Sequence, residues 1–200
     1  MEKRLSQGPG TARAFNRPRA KGTEPSVDWY DNVLETIDLR SFSNMWYWIA
    51  LAVTWSKASY WVLGVPFDMV GRARRQGGQA ADDLDDLARI NANRIVLTVD
   101  EAGLWLAGFG SMLLSALLWA GFRYGIELAQ AVFLLVFPLA LVGWMSLRAS
   151  RQIRAQAISG PELWHKLTRH RFWVQVIGLV SIFVTALWGM FQNMSYQALG

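Results

Sequence analysis

Few residues in this 200-residue chain are of types that do chemistry. Asp82, Asp83, Asp85 and Asp86 stand close enough together to invite a divalent cation. A magnesium site of paired aspartates needs a second acidic group converging on the first. The nearest acids, Asp100 and Glu101, lie about four turns further along the same predicted helix. The run reads better as first-turn acids that complement a helix macrodipole, with Asp85 placed to pair with Arg89 at i,i+4. His165 and His170 are the only histidines. Their five-residue separation turns a helix through about 140°, so the two rings diverge instead of sharing a ligand. The chain has no cysteine, which removes thiolate nucleophiles, disulfides, cysteine-bound zinc and cysteine ligation of iron–sulfur clusters. No G-x-S-x-G, H-E-x-x-H, Walker A or G-x-G-x-x-G sequence occurs. The expectation is therefore a protein that is not an enzyme, with no catalytic, cofactor-binding or metal-ligating residue.

Lys57 is the sharpest remaining candidate. It lies near the middle of Met45–Pro66, an apolar stretch with aromatic clusters towards both ends, Trp46, Tyr47 and Trp48 at one and Tyr60 and Trp61 at the other. A lysine at the centre of a bilayer costs on the order of 2.5–3.5 kcal/mol on insertion scales, and such residues face a bundle interior or a wet cavity. One reading is an ion, proton or anion path. The other is a stem that snorkels past Tyr60 and Trp61, or an ammonium that pairs with Asp100, Glu101 or Glu127. The second is preferred, because no other charged residue lies deep in a span and a relay needs several.

The elements that must hold these residues are membrane helices. The composition is 52% hydrophobic and 18% charged with 11 tryptophans, unlike an ordinary soluble domain. Ala102 to Phe122, Leu128 to Leu147 and Phe172 to Gly200 contain no Asp, Glu, Lys or Arg. The first two have the length that crosses a hydrocarbon core of about 30 Å. The expected fold is an all-α, polytopic membrane helical bundle with about four spans, 45–66, 102–122, 128–147 and 172–192, of which 45–66 has a re-entrant or tilted interfacial helix as its alternative, and two cytoplasmic or interfacial amphipathic helices. The first of these, 27–40, places Trp29, Val33, Leu34 and Ile37 at helical spacing beneath an acidic face, which suits protein better than anionic lipid. The second, 79–98, repeats Leu84, Leu87, Asn91 and Ile95 and should run into the second span. Residues 1–26 read as a disordered basic tail without the apolar region of a secretory signal.

Pro138 should kink the third span. Gly103, Ala107, Ser111 and Ser115 recur every four residues on the second span, and Gly178, Ser181, Thr185 and Gly189 trace one face of the fourth. Small residues so spaced let helix backbones approach closely in lipid, and packing of these spans on each other is the preferred reading. The 148–171 connection carries Arg148, Arg151, Arg154, Lys166, Arg169 and Arg171 against Glu162 alone. By the positive-inside rule it is cytoplasmic, as is 67–101, and it forms a basic rim for anionic lipid or an acidic partner. Within it, Ser159-Gly160-Pro161-Glu162 matches a capping box that starts a helix. Basic residues that flank spans account for the net charge of +5 without nucleic acid.

The stretch from Trp29 to Arg154, and most specifically SFSNMWYWIALAV and VLGVPFDMVGRARR, resembles a family of small bacterial inner-membrane proteins. Some of its members are labelled "component of SufBCD complex", after the cytosolic machinery of iron–sulfur cluster assembly. The resemblance implies a bacterial inner-membrane location and a membrane-bound partner of such a machinery. The expected function is that of a non-catalytic accessory, anchoring or scaffold subunit of a larger membrane-associated complex, held by the lipid bilayer and a protein partner and needing no cofactor. The alternative is a small channel or transporter with Lys57 and Pro138 lining the path.

Overall fold

The structure, a computed structural model, describes Phe42 and residues 44–199, with side chains as far as Ser195. The expected tail 1–26 and amphipathic helix 27–40 lie outside the described residues. Five α-helices follow one another: α1 (Met45–Tyr60), α2 (Phe67–Gln76), α3 (Gln79–Leu118), α4 (Glu127–Gln156) and α5 (Gly160–Leu199). Strands β1 (Trp61–Val62) and β2 (Val65–Pro66) form a small antiparallel hairpin between α1 and α2, pairing Trp61 with Pro66 and Val62 with Val65. A π-helical turn, Trp119–Arg123, closes α3.

Among the described residues three helices are long and apolar enough to cross a membrane: α3 with its π-helical end, α4 and α5. Residues 79–118 are one helix of about 60 Å, and the connection 148–171 is the last turns of α4, a short link and the first turns of α5. The chain turns back at one end of these helices through Tyr124–Ile126, here termed the outer end. At the other, inner end lies the core.

That core is formed by Val62, Leu63 and Val65 of the hairpin, Val70 and Ala73 of α2, Leu84, Ala88 and Ala92 of α3, Ile153 and Ile158 around the end of α4, and Leu163 and Leu167 of α5. All of these positions fall outside the apolar stretches 102–122, 128–147 and 172–192. Leu84, Leu163 and Leu167 are fully buried, each contributing about 1.5–3 kcal/mol where water is the alternative.

The expected span 45–66 differs most from its sequence reading. Its helix stops at Tyr60, giving 16 residues or about 24 Å, and residues 61–66 enter the core as the hairpin. Leu63 and Gly64 both adopt positive φ, +53° and +76°, the geometry of a tight two-residue hairpin turn. A left-handed leucine is disfavoured, and burial of Leu63 in the core offsets the strain. Asn91 Nδ2 of α3 donates to the Gly64 carbonyl at 3.1 Å, and Tyr60 Oη donates to Asp68 Oδ1 at 3.2 Å across the hairpin's base. Lys57 is thereby in the last turn of α1, near the inner core, and not at mid-span.

α1 runs antiparallel to α5, its start near Gly189 and its end near Gly178. Asn44 caps α1, its Oδ1 accepting from Trp46 N at 2.9 Å. Gly178, Ser181, Thr185 and Gly189 are all buried on one face of α5. A Cβ at Gly178 would come within 2.7 Å of the Trp55 ring, one at Gly189 within 3.2 Å of Phe42, and Ser181 Oγ donates to the Leu134 carbonyl of α4 at 3.3 Å. The matching residues on α3 behave differently. Ala107, Ser111 and Ser115 are exposed, Gly103 is half-buried beside its own helix's Val99, and Ser111 Oγ donates back to the Ala107 carbonyl at 2.6 Å. α5 therefore packs its small face on α1 and α4, and among the described residues no helix covers Ala107, Ser111 and Ser115 of α3.

Gly178→Leu drives a side chain into Trp55, and overpacking of this kind costs about 1–3 kcal/mol. The thermal midpoint of the detergent-solubilised protein should fall. Gly143→Leu, where a side chain meets nothing within 4 Å, should leave it unchanged or raise it.

Candidate functional site

Two polar constellations and one groove emerge from the helix ends. At the outer end, α4 begins with Glu127 and Gln130, both buried. Glu127 Oε1 accepts the Phe42 backbone N–H at 2.8 Å, and its place in the first turn lets the carboxylate complement the α4 dipole. Gln130 is the point where three helices meet. Its Nε2 donates to the Gly121 carbonyl in the π-helical turn at 2.8 Å, and its Oε1 accepts from Trp188 Nε1 at 2.9 Å and from Gln192 Nε2, both on α5. Both lone pairs of that amide oxygen are used. Gly121 is required by the close approach, since a Cβ there would sit 2.9 Å from the Gln130 backbone nitrogen.

At the inner end, Asp85 Oδ2 of α3 accepts the backbone N–H of Gly160, the first residue of α5, at 2.7 Å. The orphan donors of a helix N-terminus thus find a carboxylate from another helix. This differs from the expected pairing of Asp85 with Arg89. Arg89 instead bonds Asp86, Nη2 to Oδ1 at 2.8 Å, one residue closer. Among the described residues no group of three or more His, Cys, Asp or Glu could hold a metal ion.

The six basic residues of 148–171 do not form one surface. Arg151 and Arg154 turn to Asp100 of α3, at 3.9 and 3.7 Å, exposed pairs of a kind worth about 0–1 kcal/mol. Arg171 lies over the Phe67 ring of α2, 3.9 Å from its centroid. Arg148, Lys166 and Arg169 line a groove between α4 and α5 beside His170. His170 is buried, with Nε2 3.1 Å from Ser146 Oγ. Ser146 Oγ also lies 2.8 Å from the Val142 carbonyl, to which it can donate. His165 is exposed and does not join His170.

Compared with protein-family models, curated proteins and solved structures, the chain matches none of them. The geometry therefore speaks alone. Lys57 is exposed with no ion pair among the described residues, so the expected pairing with Asp100, Glu101 or Glu127 is not formed. Pro138 lines an apolar groove between α4 and α5 together with Ser181. Lys57 and Pro138 are not brought together. Gln130 escaped the sequence reading and Glu127 entered it only as a partner for Lys57, although a carboxylate and a carboxamide in the first turn of an apolar span were the available signal.

Gln130→Leu leaves the Trp188 and Gln192 donors and the Gly121 carbonyl without their partner, a loss of about 1–3 kcal/mol for an unmet buried group. The thermal midpoint in detergent should drop, and tryptophan fluorescence should report the change around Trp188. Asp85→Ala removes the cap on α5, with an expected cost of about 0.5–2 kcal/mol. Asp83→Ala, an exposed neighbour with no partner among the described residues, should change stability by less than about 0.5 kcal/mol in the same unfolding experiment.

Proposed function

We propose that the chain is a non-catalytic integral membrane subunit that anchors or accompanies a larger complex in a bacterial inner membrane. In this reading 67–101 and 148–171 face the cytoplasm, and α1 completes a fourth, short crossing beside the three long helices. The crossing is supported by Phe42 reaching Glu127 and Gly189 at the outer end while Val62 and Val65 are buried in the inner core.

The observation that carries the reading is the unequal packing of α3. Its inner half buries Leu84, Ala88, Ala92 and Val96, whereas its most apolar stretch has no buried residue. That stretch carries Gly103, Ala107, Ser111 and Ser115 at four-residue spacing, a surface on which a second membrane helix can approach closely. At the inner end a cavity of about 390 Å³, lined by Asp86, Arg89, Asn93 and Arg154 among others, supplies charges of both signs for a cytoplasmic partner. A partner from an iron–sulfur assembly machinery is what the family resemblance implies.

The test is gentle extraction of the natively expressed, tagged protein, followed by sizing and mass-spectrometric identification of what stays bound. A stoichiometric partner is expected. Ala107→Leu with Ser111→Leu should release a membrane partner while shifting the chain's own stability by less than about 0.5 kcal/mol, because both sites are exposed. A solitary chain at every mild condition would sink the reading.

A further inference from the structure

The groove between α4 and α5 has two chemically different ends. Arg148, Lys166 and Arg169 line the inner one, a cavity of about 280 Å³ that also includes Gln152 and Trp173. Among the described residues lining it there is no carboxylate, and the nearest acid along α5 is Glu162, one turn before Lys166. Arg148 is held over the Trp144 ring, 5.4 Å from its centroid, and the other basic side chains of the connection point elsewhere. Three basic residues thus line a cavity whose described lining holds no carboxylate.

Trp173 also lines a second cavity of about 420 Å³, shared with Phe133, Phe137, Pro138, Val180 and Val184. On α4 the lining positions 134, 138, 141, 145, 148 and 152 recur at three- and four-residue spacing, so both cavities open on one face of the helix pair. From Met145 to Phe133 the helix rises about 18 Å, close to the half-thickness of a hydrocarbon core of about 30 Å. A soluble anion would use only the first cavity and a neutral lipid only the second.

We propose that this groove binds one anionic phospholipid of the leaflet at the inner end, its phosphate held by Arg148, Lys166 and Arg169 and one acyl chain lying along Phe133, Pro138 and Val180. Basic pockets between membrane helices take anionic headgroups by the same physics. The Trp173 ring marks the boundary between headgroup and chain, a position that suits its amphipathic indole. The proposal is independent of the partner reading above. It needs only that the three long helices cross a membrane.

The experiment is native mass spectrometry of the full, delipidated chain, titrated with phosphatidylglycerol or phosphatidylcholine of identical acyl chains, with inorganic phosphate as a third probe. One phosphatidylglycerol per chain should be retained in preference to phosphatidylcholine. Arg148→Gln with Arg169→Gln should weaken it about 30-fold, and Arg151→Gln with Arg154→Gln less than about twofold. Val180→Trp fills the apolar cavity and leaves the cations in place, so it should weaken phosphatidylglycerol and spare inorganic phosphate. If the double arginine variant fails to fold by circular dichroism, Lys166→Gln alone reads the same site, with about a fivefold loss expected. Equal retention of the two lipids, or unchanged phosphatidylglycerol binding when the groove cations are removed, overturns the proposal. So does wild-type lipid binding by Val180→Trp together with displacement by inorganic phosphate, which would mark a site for a free anion.

Discussion

α3, α4 and α5 are long and apolar enough to cross a membrane, and a helix that crosses one meets two solvents along its length and with them two different forces that hold helices together. Burying a leucine from water is favourable by a few kcal/mol, whereas moving it from lipid tails to a neighbouring helix gains only packing. The hydrophobic core of the described residues follows that division. Val62, Leu63 and Val65 cluster with Leu84, Ala88 and Ala92, and with Ile153, Ile158, Leu163 and Leu167, entirely outside the apolar stretches of α3, α4 and α5. The hairpin, α2 and the inner ends of three helices are fastened to one another there. Everything further along the helices hangs from that fastening.

Where hydrophobic burial no longer acts, polar contacts and close approach take over. Gln130 joins the π-helical turn of α3 to Trp188 and Gln192 of α5, and Glu127 ties in Phe42, so the outer ends are registered by hydrogen bonds. Glu127 and Gln130 are buried, so water competes little for these bonds. Between the two ends α5 meets α1 through glycine, with Trp55 on Gly178, and at the outer end Phe42, just before α1, lies on Gly189. Gly121 serves the same purpose against the backbone of α4.

Much of this was legible in the sequence, for identifiable reasons. The charge-free stretches marked the three long membrane-compatible helices because hydrocarbon tolerates almost no ionised side chain over that length. The small-residue periodicity of α5 marked a face that is buried. The hairpin at 61–66 was not legible, since Tyr60-Trp61-Val62-Leu63 is as apolar as a span and only Gly64 and Pro66 interrupt it. Nor were the partners of Asp85 and Gln130, because Gly160 and Trp188 are distant in sequence and periodicity describes one element at a time. The basic residues were visible as a group, but their division among Asp100, Phe67 and the α4–α5 groove depends on which face of each helix turns to which neighbour.

A bundle fixed at both ends is free to leave its middle unfilled. The Asp85 carboxylate on Gly160 holds α3 to α5 at the inner end, and Gln130 holds both to α4 at the outer end. Between those points the apolar stretch of α3 contributes no buried residue, and α4 and α5 part around Phe137, Pro138 and Val180. Neither surface is needed to set the register of the helices. A large apolar groove open to lipid gains nothing from closing on itself, because hydrocarbon fills it as well as a side chain would. The same weakness of self-association in lipid that forces the core out of the apolar stretches therefore leaves the middle of the helices available to other molecules.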